Sequence, residues 1–348
     1  MAVGDSHALR RAVLLWSGIG VLLVAALISA FGAVQRAYYS PSGFVEAFAG
    51  AIAAHRLSDA LAMPGADPSR PELEAAKLPP RASRELLRSD VLPAIRNVSV
   101  VSDTTGRDGV HSVVVRATAD GSPVSARFRV RQTGSVLGVL PTWGFASTPL
   151  GVARITVAHA DDFTVGRHTV SPRAASPDQP AAAFSVSADY LAAPLAPLEL
   201  SHASRYVRAA PVSASVTPGT VTETVVDAQP TRDFTAAVQR QVDGFLDRCA
   251  EQKVLQPAGC PFGVEIDDRV QGEPSWSMVT YPNVRLRGGD DGWVTDAMVG
   301  VAHIDVTVQS LFDGTVSARS DNEPFSMRLS NVTVRPDGSL SIVVAQGP

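Results

Sequence analysis

The longest apolar segment of the chain lies near its N-terminus, where residues 12–35 carry no charge and consist mostly of Leu, Val, Ala, Ile and Gly. Arg10 and Arg11 precede this run, and Arg36 follows it. A helix rises about 1.5 Å per residue, so a run of this length can cross the roughly 30 Å hydrocarbon core of a bilayer. The pattern predicts a transmembrane helix over residues 12–35, preceded by a short cytoplasmic tail over residues 1–11.

Arginines beside a span favour the cytoplasmic side. The predicted topology is therefore a single-pass protein of the cell membrane, with its N-terminus in the cytoplasm and its bulk extracytoplasmic. A cleaved signal peptide is the alternative, because Ala30-Phe31-Gly32 offers small residues at the spacing that signal peptidases prefer. The apolar run is longer than a usual signal core of about 7–15 residues, which favours the membrane helix. Both interpretations export the rest of the chain.

Residues 40–149 change from a helical pattern to a strand pattern. Ser40-Pro41 supplies an N-cap and a proline at the first helical position. Shorter helical stretches are predicted over residues 57–63 and 86–92. Apolar residues then alternate with a period of two, with a turn at Asp120-Gly121. Helices followed by antiparallel strands predict an α+β domain.

Three arginines line up on the strand after this turn. Arg127, Arg129 and Arg131 share the face opposite Phe128 and Val130, at intervals of about 7 Å. One interpretation is an anion-binding platform, because guanidinium groups pair bidentately with carboxylates and phosphodiesters. The simpler interpretation, which we prefer from the sequence, is the solvated outer face of a half-buried strand.

The rest of the chain has two further parts. Residues 150–229 contain short alternating runs broken by Pro, Ser, Ala and Asp, which predicts a β-rich, sandwich-like middle domain. A poorly ordered linker is the alternative. Residues 231–346 repeat the order of helix and then sheet: a helix begins at Thr231, and a change of parity near Ser330-Asn331 predicts a β-bulge. The same order of elements in two parts implies an internal structural repeat.

Composition narrows the functional classes. The 348 residues are 45% hydrophobic with a net charge of −4, which is typical of a globular protein and gives no support for nucleic acid as a partner. The two cysteines, Cys249 and Cys260, predict one structural disulfide outside the cytoplasm. Reactive or reduced thiols are the alternative, and a metal site would need more ligands than this pair.

No catalytic constellation is visible, so we predict no catalytic residue, no cofactor and no metal, and a protein that is not an enzyme. Ser320-Asp321-Asn322 matches one element of penicillin-recognising enzymes, but their other elements are missing, which indicates a chance match in a loop. His303 lies in an apolar strand and is predicted to be a satisfied core residue. Asp290 and Asp291 could attract calcium, but a hairpin tip explains them more simply.

Four segments carry a resemblance to a known family. The chain resembles single-pass actinobacterial envelope proteins with exported domains like nuclear transport factor 2, in an arrangement similar to the teicoplanin resistance-associated membrane proteins; the segments are residues 142–146, 249–263, 276–279 and 312–316. The resemblance implies that residues 40–149 and 231–346 form two cone-like α+β domains around the β-rich middle. Many relatives carry a zinc ribbon before the span, and this chain lacks its paired cysteines.

The resemblance also implies a function. It favours a membrane-anchored extracytoplasmic binding or scaffold protein of the bacterial cell envelope. Its predicted partners are the lipid bilayer, through residues 12–35, and an envelope polymer or a membrane or secreted protein. A cone-domain component of a conjugation or secretion apparatus is one alternative, and a cone-fold hydrolase or isomerase is another. An Asp or Glu beside a Tyr or His in a buried pocket would favour the enzyme.

Overall fold

Antiparallel β-strands make up most of the regular structure. The computed structural model describes residues 16–17, 19–24, 39–136, 140–180, 183–335, 337 and 339–346. The described strands form four sheets, and the two longest helices that the structure describes lie beside the first and the last of them.

The first sheet has the strand order β1-β2-β3-β4, and every neighbouring pair is antiparallel. These strands are β1 (Ile95–Thr105), β2 (His111–Ala119), β3 (Ser122–Val136) and β4 (Leu140–Phe145). The preceding helical elements are α1 (Pro41–Ala53), α2 (Leu57–Leu61), α3 (Arg70–Ala75) and a 3₁₀ turn (Ser89–Val91).

Helix α1 begins where the sequence predicts. The Ser40 side chain accepts a hydrogen bond from the Gly43 amide at 2.9 Å, and Pro41 occupies the first turn. Phe48 is one of the buried side chains that pack this helix on the first sheet. The Phe48 ring centroid lies 5.6 Å from that of Phe128 and 4.8 Å from that of Phe145, so aromatic packing holds α1 on the sheet.

The middle strands form two small sheets, with the orders β12-β10-β9-β6-β7 and β11-β5-β8. The pairing of β11 with β5 is parallel, and the other described pairings are antiparallel. The elements are β5 (Gly151–Ala158), β6 (Phe163–Val165), β7 (His168–Val170), α4 (Pro172–Ala175), β8 (Ser185–Ala192), β9 (Leu198–Ala203), β10 (Val207–Ala214), β11 (Val221–Asp227) and β12 (Gln229–Pro230).

The last sheet has the order β13-β16-β17-β15-β14, with β18 also paired to β17. Its register shifts between Leu329 and Asn331, which confirms the predicted bulge. The elements of this part are α5 (Arg232–Ala250), β13 (Arg269–Thr280), β14 (Leu286–Gly288), β15 (Trp293–Thr295), β16 (Met298–Gln309), β17 (Val316–Val334) and β18 (Leu340–Gln346). The Thr231 side chain caps α5 by accepting a hydrogen bond from the Phe234 amide at 3.2 Å.

The predicted α+β class is wrong, because the chain consists mostly of β-sheet. The predicted helical stretch over residues 86–92 illustrates the reason, since it contains only the 3₁₀ turn Ser89–Val91. Leu86 packs into the core of the middle strands, whereas Leu92 packs into the core of the first sheet. Their helix-like spacing therefore reflects burial in two different cores and does not mark one face of a helix.

The predicted transmembrane helix over residues 12–35 is also wrong. Within the described chain, no helix has both the length and the apolar character needed to cross a bilayer. Residues 16–17 and 19–24 are helical. The same finding contradicts the single-pass topology and the cell-membrane localisation. The remaining positions of the predicted span, and the predicted tail over residues 1–11, lie outside the described residues.

Candidate anion-binding cleft

A cleft of about 610 Å³ lies between the middle strands and the last sheet. Most of its wall comes from β14, β15, the turn between them and the bulged part of β17. His159, directly after β5, completes the wall from the side of the middle strands. The cleft therefore depends on two parts of the chain that are well separated in sequence.

The His159 side chain is held on three sides. Its Nδ1 atom lies 2.7 Å from Asp227 Oδ1, at the end of β11. Its ring packs against Phe184 and Trp293, with centroid separations of 5.0 and 5.2 Å. An ionised carboxylate only accepts hydrogen bonds, so Nδ1 donates to Asp227 and Nε2 is the nitrogen left for other contacts.

Gly288 lies close to that remaining nitrogen. A Cβ atom added at position 288 would lie 2.1 Å from His159 Nε2, so the glycine backbone is already packed on the ring. A histidine base needs its free nitrogen within about 2.6–3.2 Å of the proton that it transfers. Gly288 crowds one side of this approach, while the His159 side chain stays 22% exposed in the wall of the cleft. The His159–Asp227 pair packs against Phe184 and Trp293.

Two arginine side chains bring positive charge to the cleft. Arg287 donates from Nε to Asp296 Oδ1 at 3.0 Å, which leaves its Nη groups available. Arg328 lines the cleft from β17 and has no ion-pair partner within the residues that the structure describes. Asp290 is the acidic side chain in the same wall. Guanidinium groups form paired N–H···O bonds with carboxylates and phosphates, so the cleft is chemically suited to an anion.

The hydroxyl groups of the cleft are already used by the fold. Thr295 Oγ1 accepts a hydrogen bond from the Leu329 amide at 2.9 Å. Ser330 Oγ donates to the Val343 carbonyl at 3.3 Å. No hydrogen bond of the described residues joins either hydroxyl to His159, so neither is paired with a base that would activate it as a nucleophile. The arrangement can therefore bind a charged group, but it does not assemble a nucleophile and a base.

The structure places the three predicted arginines on a different sheet from this cleft. Arg127, Arg129 and Arg131 are exposed along β3 and share one face. Arg129 Nη2 lies 3.5 Å from Asp108 Oδ2, in a pair that is more than half exposed. Arg116 on β2 faces the same side. It pairs with Ser125 of β3, and Ser125 lies on the same face of β3 as the three arginines, because alternate residues of a strand point the same way. Anion binding by this face stays a prediction.

The two cysteines lie at disulfide distance, as predicted, with their sulfur atoms 2.04 Å apart. Cys249 is in the last turn of α5, and Cys260 lies in the loop that follows. Both are buried in the core of the last sheet beside Phe262. The pair fastens the end of the helix to this loop and takes no part in the cleft.

His303 is not the core residue that the sequence predicts. Its side chain is 26% exposed on the outer face of β16. Nδ1 lies 2.8 Å from Asn322 Oδ1, and Nε2 lies 3.0 Å from Ser320 Oγ. The hydrogen bond to Asn322 and the nearby charge of Asp305 raise the pKa of His303 above its ordinary value. Ser320-Asp321-Asn322 lies within strand β17 and not in a loop.

Asp290 and Asp291 form the tip of the β14–β15 hairpin, which is the simpler of the two interpretations above. The Gly289 amide donates to the Gly292 carbonyl at 2.8 Å and closes the turn. Throughout the described ranges, no three His, Cys, Asp or Glu side chains are grouped to hold a metal ion.

Arg287, Arg328 and His159 are site residues that the sequence patterns did not predict. The Gly288-Gly289 pair was the available signal, because adjacent glycines mark a close approach of other groups to the backbone. That signal does not say which groups approach.

Comparisons with protein-family models, with curated proteins and with solved structures found no match to this chain. The resemblance to the teicoplanin resistance-associated family therefore stays a prediction that rests on the four quoted segments.

Proposed function

We propose that the protein is a non-catalytic binding protein whose cleft holds a carboxylate or phosphate group between Arg328 and Arg287. The observation that carries this proposal is the position of Arg328. Its guanidinium lines a concave site without an acidic partner in the described chain, and a second arginine lines the same site. Charge-assisted, bidentate pairing with an anionic group would satisfy both side chains.

The state of the other polar groups favours binding over catalysis. A hydrolase or isomerase needs a base that can reach the substrate. In this cleft the Asp227-oriented histidine packs between aromatic rings with Gly288 close to its Nε2 atom, and the hydroxyls of Thr295 and Ser330 bond to backbone groups. The geometry thus supports recognition of a charged ligand more strongly than it supports turnover.

The proposal is tested by calorimetric titration of the protein with inorganic phosphate and with acetate. We expect Arg328→Gln to weaken binding by about tenfold to a hundredfold, because one charge-assisted contact is worth roughly 1.5–3 kcal/mol. The control is a triple variant in which Arg127, Arg129 and Arg131 are replaced by Gln, which should bind as the wild type does.

The same two variants separate the cleft from the arginine face of β3. If the triple variant loses binding while Arg328→Gln keeps it, the anion binds on the first sheet and the cleft proposal is wrong. If neither anion binds the wild type, the proposed function fails for these ligands in both places.

A further inference from the structure

A second concave surface lies between helix α5 and strand β18. These two elements do not line the anion-binding cleft. This groove has a volume of about 400 Å³. Its apolar floor comes from Phe245, Ile342 and Val344, and its helix side carries Arg240 and Arg248. It shares no residue with the anion-binding cleft.

Strand β18 offers an unpaired edge beside this groove. It pairs with β17 on one side, and no strand lies on its other side within the described chain. An edge strand presents a row of backbone N–H and C=O groups that can pair with an added strand. Ile342 and Val344 are only half-buried, so the side chains of an added strand could complete their packing.

Gly244 lowers the helix surface in the middle of the groove. It lies inside the 19-residue helix α5, where glycine is the least favourable residue after proline. A Cβ atom at position 244 would meet only Arg248 Nη1, at 3.7 Å, so packing within the chain does not require a glycine here. The position leaves space for another chain to approach the helix closely.

The charges of the groove point to an acidic occupant. Neither Arg240 nor Arg248 has an acidic partner among the residues described. Eight residues apart on one helix, their Cα atoms are separated by about 12 Å. In an extended chain, residues four apart lie on the same face at about 13 Å. Two acidic side chains at that spacing would match the two arginines. An apolar side chain midway between them, on the same face, would match the space above Gly244.

We propose that this groove binds an extended acidic segment of a partner protein, which adds as a strand to the free edge of β18. Backbone pairing along β18 supplies the register, the arginines select acidic side chains, and the apolar floor receives the residue between them.

The test uses the full chain and a labelled seven-residue peptide, with glutamate at the second and sixth positions, valine at the fourth and threonine elsewhere. Fluorescence anisotropy should show saturable binding. The double variant Arg240→Gln/Arg248→Gln should bind at least about tenfold more weakly. The control variant Arg232→Gln, at the exposed start of the same helix, should bind as the wild type does.

A second variant separates loss of the groove from loss of the fold. Gly244→Ala should keep or raise the melting temperature, because alanine is the better helix residue, yet it should weaken peptide binding by filling the floor. A peptide with lysine in place of both glutamates should not bind, and N-methylation of the backbone on its pairing edge should abolish binding.

Three results would overturn the proposal. These are no saturable binding of the glutamate peptide, equal binding by the double variant, or binding that survives N-methylation. Vesicles of an anionic phospholipid serve as the competing probe. Binding to these vesicles that depends on Arg240 and Arg248, without binding of the peptide, would assign the groove to a lipid surface and reject the protein partner.

Discussion

At the scale of single residues, Gly288 has no room for a side chain. A methyl group there would lie 2.1 Å from His159 Nε2 and would push the ring away from Phe184 and Trp293. We expect Gly288→Ala to lower the free energy of unfolding by about 1–3 kcal/mol, as overpacking does.

In the control, Gly50→Ala in α1, the new methyl would meet nothing within 4 Å. It should raise stability by roughly 0.5–1 kcal/mol. Chemical denaturation measures both, and an unchanged Gly288→Ala would contradict the close contact.

Protonation of the His303 ring makes the free energy of unfolding depend on pH. Its pKa is raised, chiefly by the hydrogen bond to Asn322 and further by Asp305, so the folded state favours the protonated ring. The contribution of His303 to the free energy of unfolding is full below its pKa in the unfolded chain, about 6.5. This contribution is lost as pH rises through the higher pKa of His303 in the folded protein. NMR titration should give a midpoint above the ordinary value, and Asn322→Ala should bring that midpoint down. A wild-type midpoint at or below about 6.5 would rule out this effect.

At the scale of elements, local patterns determined what could be predicted. The starts of α1 and α5 follow from a capping side chain at Ser40 and Thr231, and each cap accepts the expected amide hydrogen bond. The bulge in β17 follows from a change of parity in the sequence. These features depend on neighbours within a few residues. The stretch over residues 86–92 could not be predicted in this way, because its leucines are buried by partners that are distant in sequence.

The candidate cleft, too, could not be predicted from patterns of neighbouring residues. Arg287 and Arg328 lie on β14 and β17, which are not adjacent in the sheet, since β15 runs between them. His159 lies directly after β5, which is a strand of a different sheet. No spacing rule connects these three residues, because their proximity is produced by strand order and by packing between sheets. The β3 arginines were found from the sequence because alternation along one strand is itself a local pattern.

At the scale of the whole molecule, the middle strands are joined to their two neighbours in different ways. Toward the first sheet, Ser83 pairs with the backbone beside Tyr190, and its amide donates to the Asp189 carbonyl at 2.7 Å. Leu86 and Val91 enter the core of the middle strands from the same segment. That junction is therefore a continuous core. Toward the last sheet, side-chain rings provide much of the packing.

The rings of His159 and Phe184 are the centre of this second junction. Both contact Trp293 of β15, with centroid separations of 5.2 and 5.4 Å. Removing the imidazole in His159→Ala takes away its ring contacts and leaves Asp227 without this partner. We expect a loss of about 1–3 kcal/mol and weaker coupling between the middle strands and the last sheet, seen in differential scanning calorimetry as a broadened or divided transition. The control is His55→Ala, because the His55 ring bonds to the Ser89 carbonyl before the first sheet and does not touch this junction. If both variants unfold in one equally sharp transition, coupling between the sheets does not depend on His159.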